Sequence, residues 1–181
     1  MLITPEYLEQ QRIMHARPRG YGGGGSRWAD QVAALAESLG QVDAILDYGC
    51  GQNTLAPVLM SKGFRTRSYD PAVRAFDAEP LRSDLVVCTD VLEHVEEQCV
   101  DAVLEHLAQL CRRRLFVVIG LKPTDKTLPD GRQAHITLRP PHVWRQAIEA
   151  AGFDFVQWIT GQDLAETPKH FGAIFQRKTA A

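Results

Sequence analysis

The sequence lacks the features that would place it in a membrane, outside the cell or on nucleic acid. Its apolar runs all fall short of the roughly 18–20 residues that a membrane-spanning helix requires. Residues 1–11 lack the basic start and the apolar centre of a secretory signal peptide. The formal net charge is only −2, so no strong field attracts polyanions. We therefore expect a cytoplasmic protein without a membrane or nucleic-acid partner.

Cysteine is also scarce, and its spacing excludes two common uses. The four cysteines are Cys50, Cys88, Cys99 and Cys111. They show neither the paired spacing of a zinc site nor the pattern of a disulfide framework. No cluster of cysteine and histidine suggests a metal. We therefore predict reduced thiols and a site without a metal.

The chain does contain the composition of an ordinary globular protein, with 45% hydrophobic and 23% charged residues. Its 181 residues are enough for one domain with a substantial core. Its main landmark is the stretch 44–54, in which a short apolar run ends in Asp47 and is followed by Gly49 and Gly51. This pattern predicts a buried strand, a tight turn and a helix capped by Asn53 or Thr54.

Such a turn can bring the backbone close to a ligand, because glycine has no side chain to block the approach. The helix that follows offers unpaired N–H groups at its start. Dinucleotide sites use the same turn to hold a pyrophosphate. Two glycines alone are a weak signal, so the neighbouring strands decide whether this is a site.

Two further strands end in acids. Residues 65–69 lead into Asp70, and residues 85–88 lead into Thr89 and Asp90. Asp70 comes roughly 20 residues after the turn, which is the spacing of the acid that binds ribose hydroxyls in dinucleotide sites. Because strands and helices alternate, we predict a three-layer α/β sandwich with a mostly parallel, Rossmann-like sheet. One antiparallel strand is expected near the C-terminus, at residues 171–176.

Four motifs in register carry a family resemblance. They are Leu46-Asp47-Tyr48-Gly49-Cys50-Gly51, Tyr69-Asp70-Pro71, Asp84-Leu85-Val86-Val87 and Asp90-Val91-Leu92-Glu93-His94-Val95. Over residues 42–153 the chain resembles the class I S-adenosylmethionine-dependent methyltransferases, and within them the ubiquinone-biosynthesis-like small-molecule group. The resemblance implies one methyltransferase domain over residues 1–181. Residues 1–40 would form N-terminal helices with a glycine-rich lid, and residues 41–181 the cofactor-binding core.

The resemblance implies S-adenosylmethionine as the cofactor, with its methionine end over Gly49 to Gly51 and its ribose held by Asp70. The implied cofactor residues are Asp47, Tyr48, Gly49, Cys50, Gly51, Asn53, Asp70, Pro71, Asp77, Thr89, Asp90 and Val91. The chain departs from the family at Asn53, where a third small residue is expected, although asparagine tolerates a left-handed backbone. Residues 71–80 leave almost no room for the usual helix. Asp77 either binds the adenine amino group or is a solvated loop acid.

Two histidines are candidates for the chemistry of methyl transfer. His135 lies where the family often has a histidine at the rim of the substrate pocket, and an imidazole with a pKa near ~6.5 suits a general base at neutral pH. His94 is the second candidate. Its alternative role is structural, as a hydrogen-bonding cap of the turn after the third strand.

Two long loops are candidates for the acceptor end. Residues 20–25 form either a flexible linker or a lid, in which Tyr21, Arg17 and Arg19 would face the site. Residues 120–139 follow the strand at 115–119. Long loops in a compact domain are usually functional or disordered. Our hypothesis is that both loops enclose a small polar acceptor over the methyl group.

Two other functions stay open at this point. A nicotinamide-dependent oxidoreductase shares the glycine turn and Asp70, but its third glycine falls where Thr54 stands, and it leaves the motif from Asp90 to Val95 unexplained. A methyltransferase fold that binds a ligand or partner without catalysis is the other. No Asn/Asp-Pro-Pro-Tyr/Phe run occurs, so amino methylation of nucleic acid is not indicated. The preferred acceptor is a small molecule, methylated on oxygen or nitrogen.

Overall fold

The computed structural model describes residues 1–17, 21–159 and 169–178. The strands are β1 (Ile45–Tyr48), β2 (Thr66–Tyr69), β3 (Ser83–Thr89), β4 (Cys111–Gly120), β5 (Phe153–Trp158) and β6 (His170–Arg177). The α-helices are α1 (Pro5–His15), α2 (Ala29–Ser38), α3 (Leu55–Ser61), α4 (Val100–Leu110) and α5 (Pro141–Ala150). Short 3₁₀ helices occupy Gly25–Trp28, Leu92–His94 and Glu97–Cys99.

The six strands form one sheet in the order β2-β1-β3-β4-β6-β5. β1 runs parallel to β2 and β3, and β3 runs parallel to β4. β6 runs antiparallel to both of its neighbours, β4 and β5. The predicted mostly parallel sheet with an antiparallel C-terminal strand is therefore confirmed.

Strand β4 shows how the layers are built. Leu115, Val117 and Ile119 belong to the core cluster that includes α4 and α5. The alternate residues Phe116 and Val118 belong to the cluster that includes α2 and α3. A strand buried on both faces reads as a continuous apolar run, which is why the sequence predicted it well. Helices thus cover both faces of the sheet.

A third, smaller cluster joins α1 to the segment between β4 and α5. Its buried members are Tyr7, Met14, Tyr21, Leu128 and Ala134. This cluster packs N-terminal residues onto the long loop at 120–139. Among the described residues, every helix is too short or too polar to span a membrane.

The predicted N-cap position of α3 is confirmed at Thr54, but the capping hydrogen bond is missing. The side chain of Thr54 makes no bond to the helix. Its hydroxyl instead donates a 3.1 Å hydrogen bond to the carbonyl oxygen of Gly23. The capping hydrogen bond is thus replaced by a contact with Gly23 of residues 20–25, the glycine-rich segment. Local sequence patterns cannot reveal such a contact, because the two partners are far apart in the chain.

Candidate active site

A cavity of about 630 Å³ opens where β1, β2 and β3 end. Ten of the residues selected from the sequence line it, namely Tyr21, Tyr48, Gly49, Gly51, Asp70, Pro71, Asp90, Val91, His94 and His135. The parallel strands bring these residues together because their carboxyl ends meet at one edge of the sheet.

Other predicted site residues lie away from the cavity lining. Asp47, Cys50 and Thr89 are buried behind it, and Asp77 is an exposed acid in the loop after β2. Arg17 is exposed, and its guanidinium donates a 2.9 Å hydrogen bond to the carbonyl oxygen of Thr127. Arg17 therefore contacts the second loop and does not face the cavity. The prediction for Arg19 lies outside the described residues.

The Asp70 carboxylate holds the glycine turn in place. One of its oxygens accepts a 3.0 Å hydrogen bond from the Gly51 N–H, and the other accepts a 2.9 Å bond from the Ala72 N–H. A carboxylate has about four acceptor sites, so both oxygens keep capacity for a ligand. The side chain is 6% exposed, and it lines the cavity. Asp70 thus links the ends of β1 and β2 at one side of the site.

The glycine-rich segment lies directly on this turn. The Gln52 N–H donates a 3.0 Å hydrogen bond to the carbonyl oxygen of Gly22. Gly22 has a φ of +77°, and a Cβ placed there would lie 3.1 Å from Gly51 Cα and 2.9 Å from His15 Cε1. Only glycine allows this contact, because a side chain would meet backbone on one face and a histidine ring on the other.

Asn53 has a left-handed backbone, with a φ of +55°. The sequence predicted that asparagine would tolerate this conformation, and the structure confirms it. Its side-chain oxygen accepts a 2.8 Å hydrogen bond from the Ser68 hydroxyl. This bond ties the turn to β2 and fixes the start of α3.

Asp90 has the same unusual backbone conformation at the end of β3, with a φ of +56°. Its carboxylate oxygens lie 2.7 Å and 2.6 Å from Nη2 of Arg27. Arg27 could not be identified from the sequence, because no motif links an arginine before α2 to an acid 63 positions later. Arg27 also lines the cavity.

The two histidines meet at the other end of the cavity, with ring centroids 4.8 Å apart. Nδ1 of His94 lies 2.8 Å from the carbonyl oxygen of Ala134, and Nδ1 of His135 lies 2.7 Å from that of Lys122. A carbonyl only accepts hydrogen bonds, so each Nδ1 carries the proton. In the neutral form of either ring, this leaves Nε2 with a free lone pair. The hydroxyl of Tyr21 lies 3.0 Å from His94 Nδ1.

Burial determines the protonation of His94 and Glu93 at this end of the cavity. It lowers the pKa of His94 to about 3, with a further contribution from His135, so His94 is neutral at physiological pH. Burial also raises the pKa of Glu93 to about 8. Glu93 is 1% exposed, and its Oε1 accepts a 2.7 Å hydrogen bond from the Gly120 N–H. In the sequence, Glu93 belongs to the motif from Asp90 to Val95, which by itself predicts no role for it.

Burial also raises the pKa of Asp47 to about 7, with a smaller contribution from the nearby Asp70 carboxylate. Asp47 is 3% exposed and is the second-to-last residue of β1, directly before Tyr48. Such a group titrates close to neutral pH, whereas an exposed aspartate is ionised there.

Comparisons with solved structures support the fold. The chain is similar to magnesium protoporphyrin IX methyltransferase from Synechocystis PCC 6803 with bound SAH. The two are 18% identical over 96% of this chain and 95% of that one, with a TM-score of 0.62. It is also similar to 1,6-didemethyltoxoflavin-N1-methyltransferase from Burkholderia thailandensis, at 19% identity, 99% and 92% coverage, and a TM-score of 0.65. At these identities the similarity concerns the fold.

No curated protein sequence matches the chain. The family profile described as a methyltransferase domain matches residues 22–158, which is most of the chain. This match covers the glycine-rich segment, the turn at Gly49 to Gly51 and the motif from Asp90 to Val95. It confirms the predicted class, whereas the ubiquinone-biosynthesis-like subgroup stays a prediction. The chain therefore belongs to the methyltransferase domain family, within the class I S-adenosylmethionine-dependent methyltransferases.

Proposed function

We propose that this protein transfers the methyl group of S-adenosylmethionine to an oxygen or nitrogen of a small-molecule acceptor. One observation carries the proposal. A single cavity joins the glycine turn and the Asp70 carboxylate at one end to two histidines with free Nε2 lone pairs at the other. The first end suits a nucleoside with a charged tail, and the second suits an acceptor that must lose a proton.

In this proposal the cofactor lies along the ends of β1 and β2. Asp70 binds the ribose hydroxyls through the acceptor capacity that its two backbone hydrogen bonds leave free. The methionine end lies beside Gly49 and Gly51, which both line the cavity. The sulfonium then points toward Val91 and His94, which line the next part of the cavity.

At the acceptor end, His135 is the proposed general base. As its Nε2 takes the acceptor proton, the acceptor lone pair forms a bond to the methyl carbon. The carbon–sulfur bond breaks, and its electron pair stays on sulfur, which gives S-adenosylhomocysteine. The side chains chiefly orient the acceptor in line with the sulfonium. His94, the second candidate, is a weaker base, because burial lowers its pKa to about 3. Its unprotonated Nε2 can still accept a hydrogen bond from the acceptor.

The two loops predicted to enclose the acceptor contact each other. Lys126 Nζ lies 5.5 Å from the centroid of the Tyr21 ring, and Arg17 donates to the Thr127 carbonyl. Tyr21 is 6% exposed and lines the cavity. These contacts support a lid of two parts that excludes water from the reaction. The similar structures named above are of enzymes for magnesium protoporphyrin IX and 1,6-didemethyltoxoflavin, which supports a small-molecule acceptor here.

To test the proposal, the protein is incubated with a metabolite extract and methyl-labelled S-adenosylmethionine, and transfer of the label to an acceptor is measured. His135→Ala should reduce label transfer at least tenfold while its affinity for S-adenosylhomocysteine, measured by calorimetry, stays within twofold. The exposed His142→Ala provides the matched control. Cofactor binding without label transfer would favour a non-catalytic binding module. If calorimetry detects binding of a nicotinamide cofactor and no binding of S-adenosylhomocysteine, the result would point to an oxidoreductase.

A further inference from the structure

Glu93, His94 and His135 form a cluster in the cavity wall that the methyl-transfer proposal uses only in part. One ligand atom from each residue lies within 4.8 Å of the others. All three residues line the cavity. Two imidazoles and one carboxylate on a cavity wall are a ligand set that divalent first-row transition metals use, with positions left open for other ligands.

Both histidines are oriented as metal ligands are. In metal sites, the ring nitrogen that does not bind the metal usually donates to a carboxylate, a backbone carbonyl or water. Nδ1 of His94 is held in this way by Ala134 O at 2.8 Å, and Nδ1 of His135 by Lys122 O at 2.7 Å. Each ring is thereby fixed in the tautomer that leaves Nε2 free to bind a cation.

Glu93 supplies an independent observation. Its Oε1 is engaged by the Gly120 N–H, but its Oε2 is buried and has no hydrogen-bond partner among the described residues. An unpaired buried carboxylate oxygen is costly, and a bound cation would satisfy it. Gly120 makes room for the arrangement, since a Cβ there would lie 2.7 Å from Glu93 Oε1 and 2.9 Å from His135 Cε1.

The spacing is compatible with a metal after a small side-chain adjustment. Bonds of about 2.0–2.2 Å in a tetrahedral site place ligand atoms about 3.3–3.5 Å apart. One candidate ligand atom from each residue now lies within 4.8 Å of the others, so a metal would require these atoms to approach by at most about 1.5 Å. We expect side-chain rotation to supply this movement.

We propose that Oε2 of Glu93 and Nε2 of His94 and His135 bind one divalent transition-metal ion, which in turn binds a hydroxyl oxygen of the acceptor. This inference rests on the proposed function and specifies its substrate class as hydroxylated compounds. Before the lid closes, the metal-bound hydroxyl releases its proton to solvent, because a divalent cation lowers the pKa of a bound hydroxyl. The oxygen lone pair then bonds to the methyl carbon, and the carbon–sulfur electron pair stays on sulfur. His135 acts through the metal in this scheme and is not itself the base.

The first test is metal binding by the full chain after dialysis against a chelator. Co²⁺ is titrated and followed by its visible absorption, and Zn²⁺ is then added in competition. We expect one equivalent of Co²⁺ to bind and Zn²⁺ to displace it. Glu93→Gln and His135→Gln should each weaken Co²⁺ binding at least tenfold, whereas the exposed His142→Gln should bind like the wild type.

Thermal unfolding and S-adenosylhomocysteine calorimetry on the same samples separate the possible failures. If Glu93→Gln does not fold, the partly buried His135→Gln carries the comparison. Absence of saturable binding at one equivalent, or equal Co²⁺ affinity in the His135 and His142 variants, would overturn the metal site. Intact binding of S-adenosylhomocysteine in those samples would leave the proposed function standing. Metal binding in samples that do not bind S-adenosylhomocysteine would support the metal site and contradict the proposed function.

Discussion

Nη2 of Arg27 lies 2.7 Å and 2.6 Å from the two carboxylate oxygens of Asp90, so the segment before α2 is tied to the end of β3. A second tie lies beside it, because the Thr54 hydroxyl donates to Gly23 O and accepts from the Ser26 N–H at 3.2 Å. The glycine-rich segment is thus held at Gly23 and at the two residues that follow the segment, Ser26 and Arg27. Release of the cofactor would require these contacts to open.

The first prediction concerns this ion pair. Arg27→Ala should speed the dissociation of S-adenosylhomocysteine severalfold, because the loss of a partly exposed pair is worth up to about 1 kcal/mol. Stopped-flow displacement measures the rate. Hydrogen exchange at residues 21–25 should be faster in the variant with ligand bound. Arg12→Ala, which removes an exposed pair with Glu9 on α1, serves as the control. An unchanged dissociation rate would show that the pair does not restrain the segment.

The second prediction concerns Asp70. Asp70→Ala should weaken S-adenosylhomocysteine binding by about 2–3 kcal/mol, since charge-assisted contacts to the ribose hydroxyls are lost. Calorimetry measures the affinity. Part of the loss would come from the turn, because Gly51 and Ala72 lose their acceptor. A lower melting temperature would reveal the contribution of the destabilised turn. Asp30→Ala, on the exposed face of α2, is the control. Equal affinities for wild type and Asp70→Ala would remove Asp70 from the cofactor site.

The third prediction is a pH dependence of stability that originates at Asp47. Its pKa is about 7 in the folded chain and 3.8 without the burial, so the folded state holds a proton that the unfolded state has lost. The free energy of unfolding therefore falls as the pH rises from about 4 to about 7, by at most about 1.4 kcal/mol per pH unit, and levels off above. Asp47→Asn cannot ionise and should lack this contribution.

Urea unfolding at pH 5 and pH 8 measures the effect. The gain in unfolding free energy of Asp47→Asn over the wild type should be larger at pH 8 than at pH 5. Groups elsewhere titrate in both proteins and cancel in this difference. The same difference at both pH values would mean that Asp47 is ionised throughout.

The sequence predicted the elements whose signals are local. The run around Phe116 gave a central strand, and the acids Asp70 and Asp90 marked strand ends because parallel strands deliver them to one edge. The left-handed Asn53 was also foreseeable, since few residue types adopt that conformation.

What the sequence did not predict depends on contacts between distant residues. Arg27 meets Asp90 only after α2 packs on the sheet, and Thr54 turns away from its helix only because Gly23 arrives beside it. The approach of Glu93 to His135 beside Gly120 is likewise a property of the packed fold. The sequence-based expectation of a site without a metal relied on spacing along the chain and stays a prediction, whereas the cluster of Glu93, His94 and His135 is visible only in the fold.

The last prediction separates backbone strain from close contact in the lid. Gly22 and Gly40 both have left-handed backbones, with φ of +77° and +72°. An alanine at either position should cost about 1 kcal/mol of stability, because a Cβ disfavours that conformation. Their surroundings differ completely. A Cβ at Gly22 would lie 2.9 Å from His15 Cε1 and 3.1 Å from Gly51 Cα, whereas nothing lies within 4 Å at Gly40.

Gly40→Ala should therefore lower the melting temperature and leave S-adenosylhomocysteine affinity unchanged. Gly22→Ala should also lift the segment from the glycine turn, and so weaken S-adenosylhomocysteine binding at least tenfold and speed hydrogen exchange at residues 21–25. Gly23→Ala, whose Cβ would meet Gln52 Oε1 at an ordinary 3.5 Å, should bind like the wild type. If Gly22→Ala and Gly40→Ala have the same affinity, the contact between Gly22 and Gly51 does not form part of the closed cofactor site, and the segment is a linker.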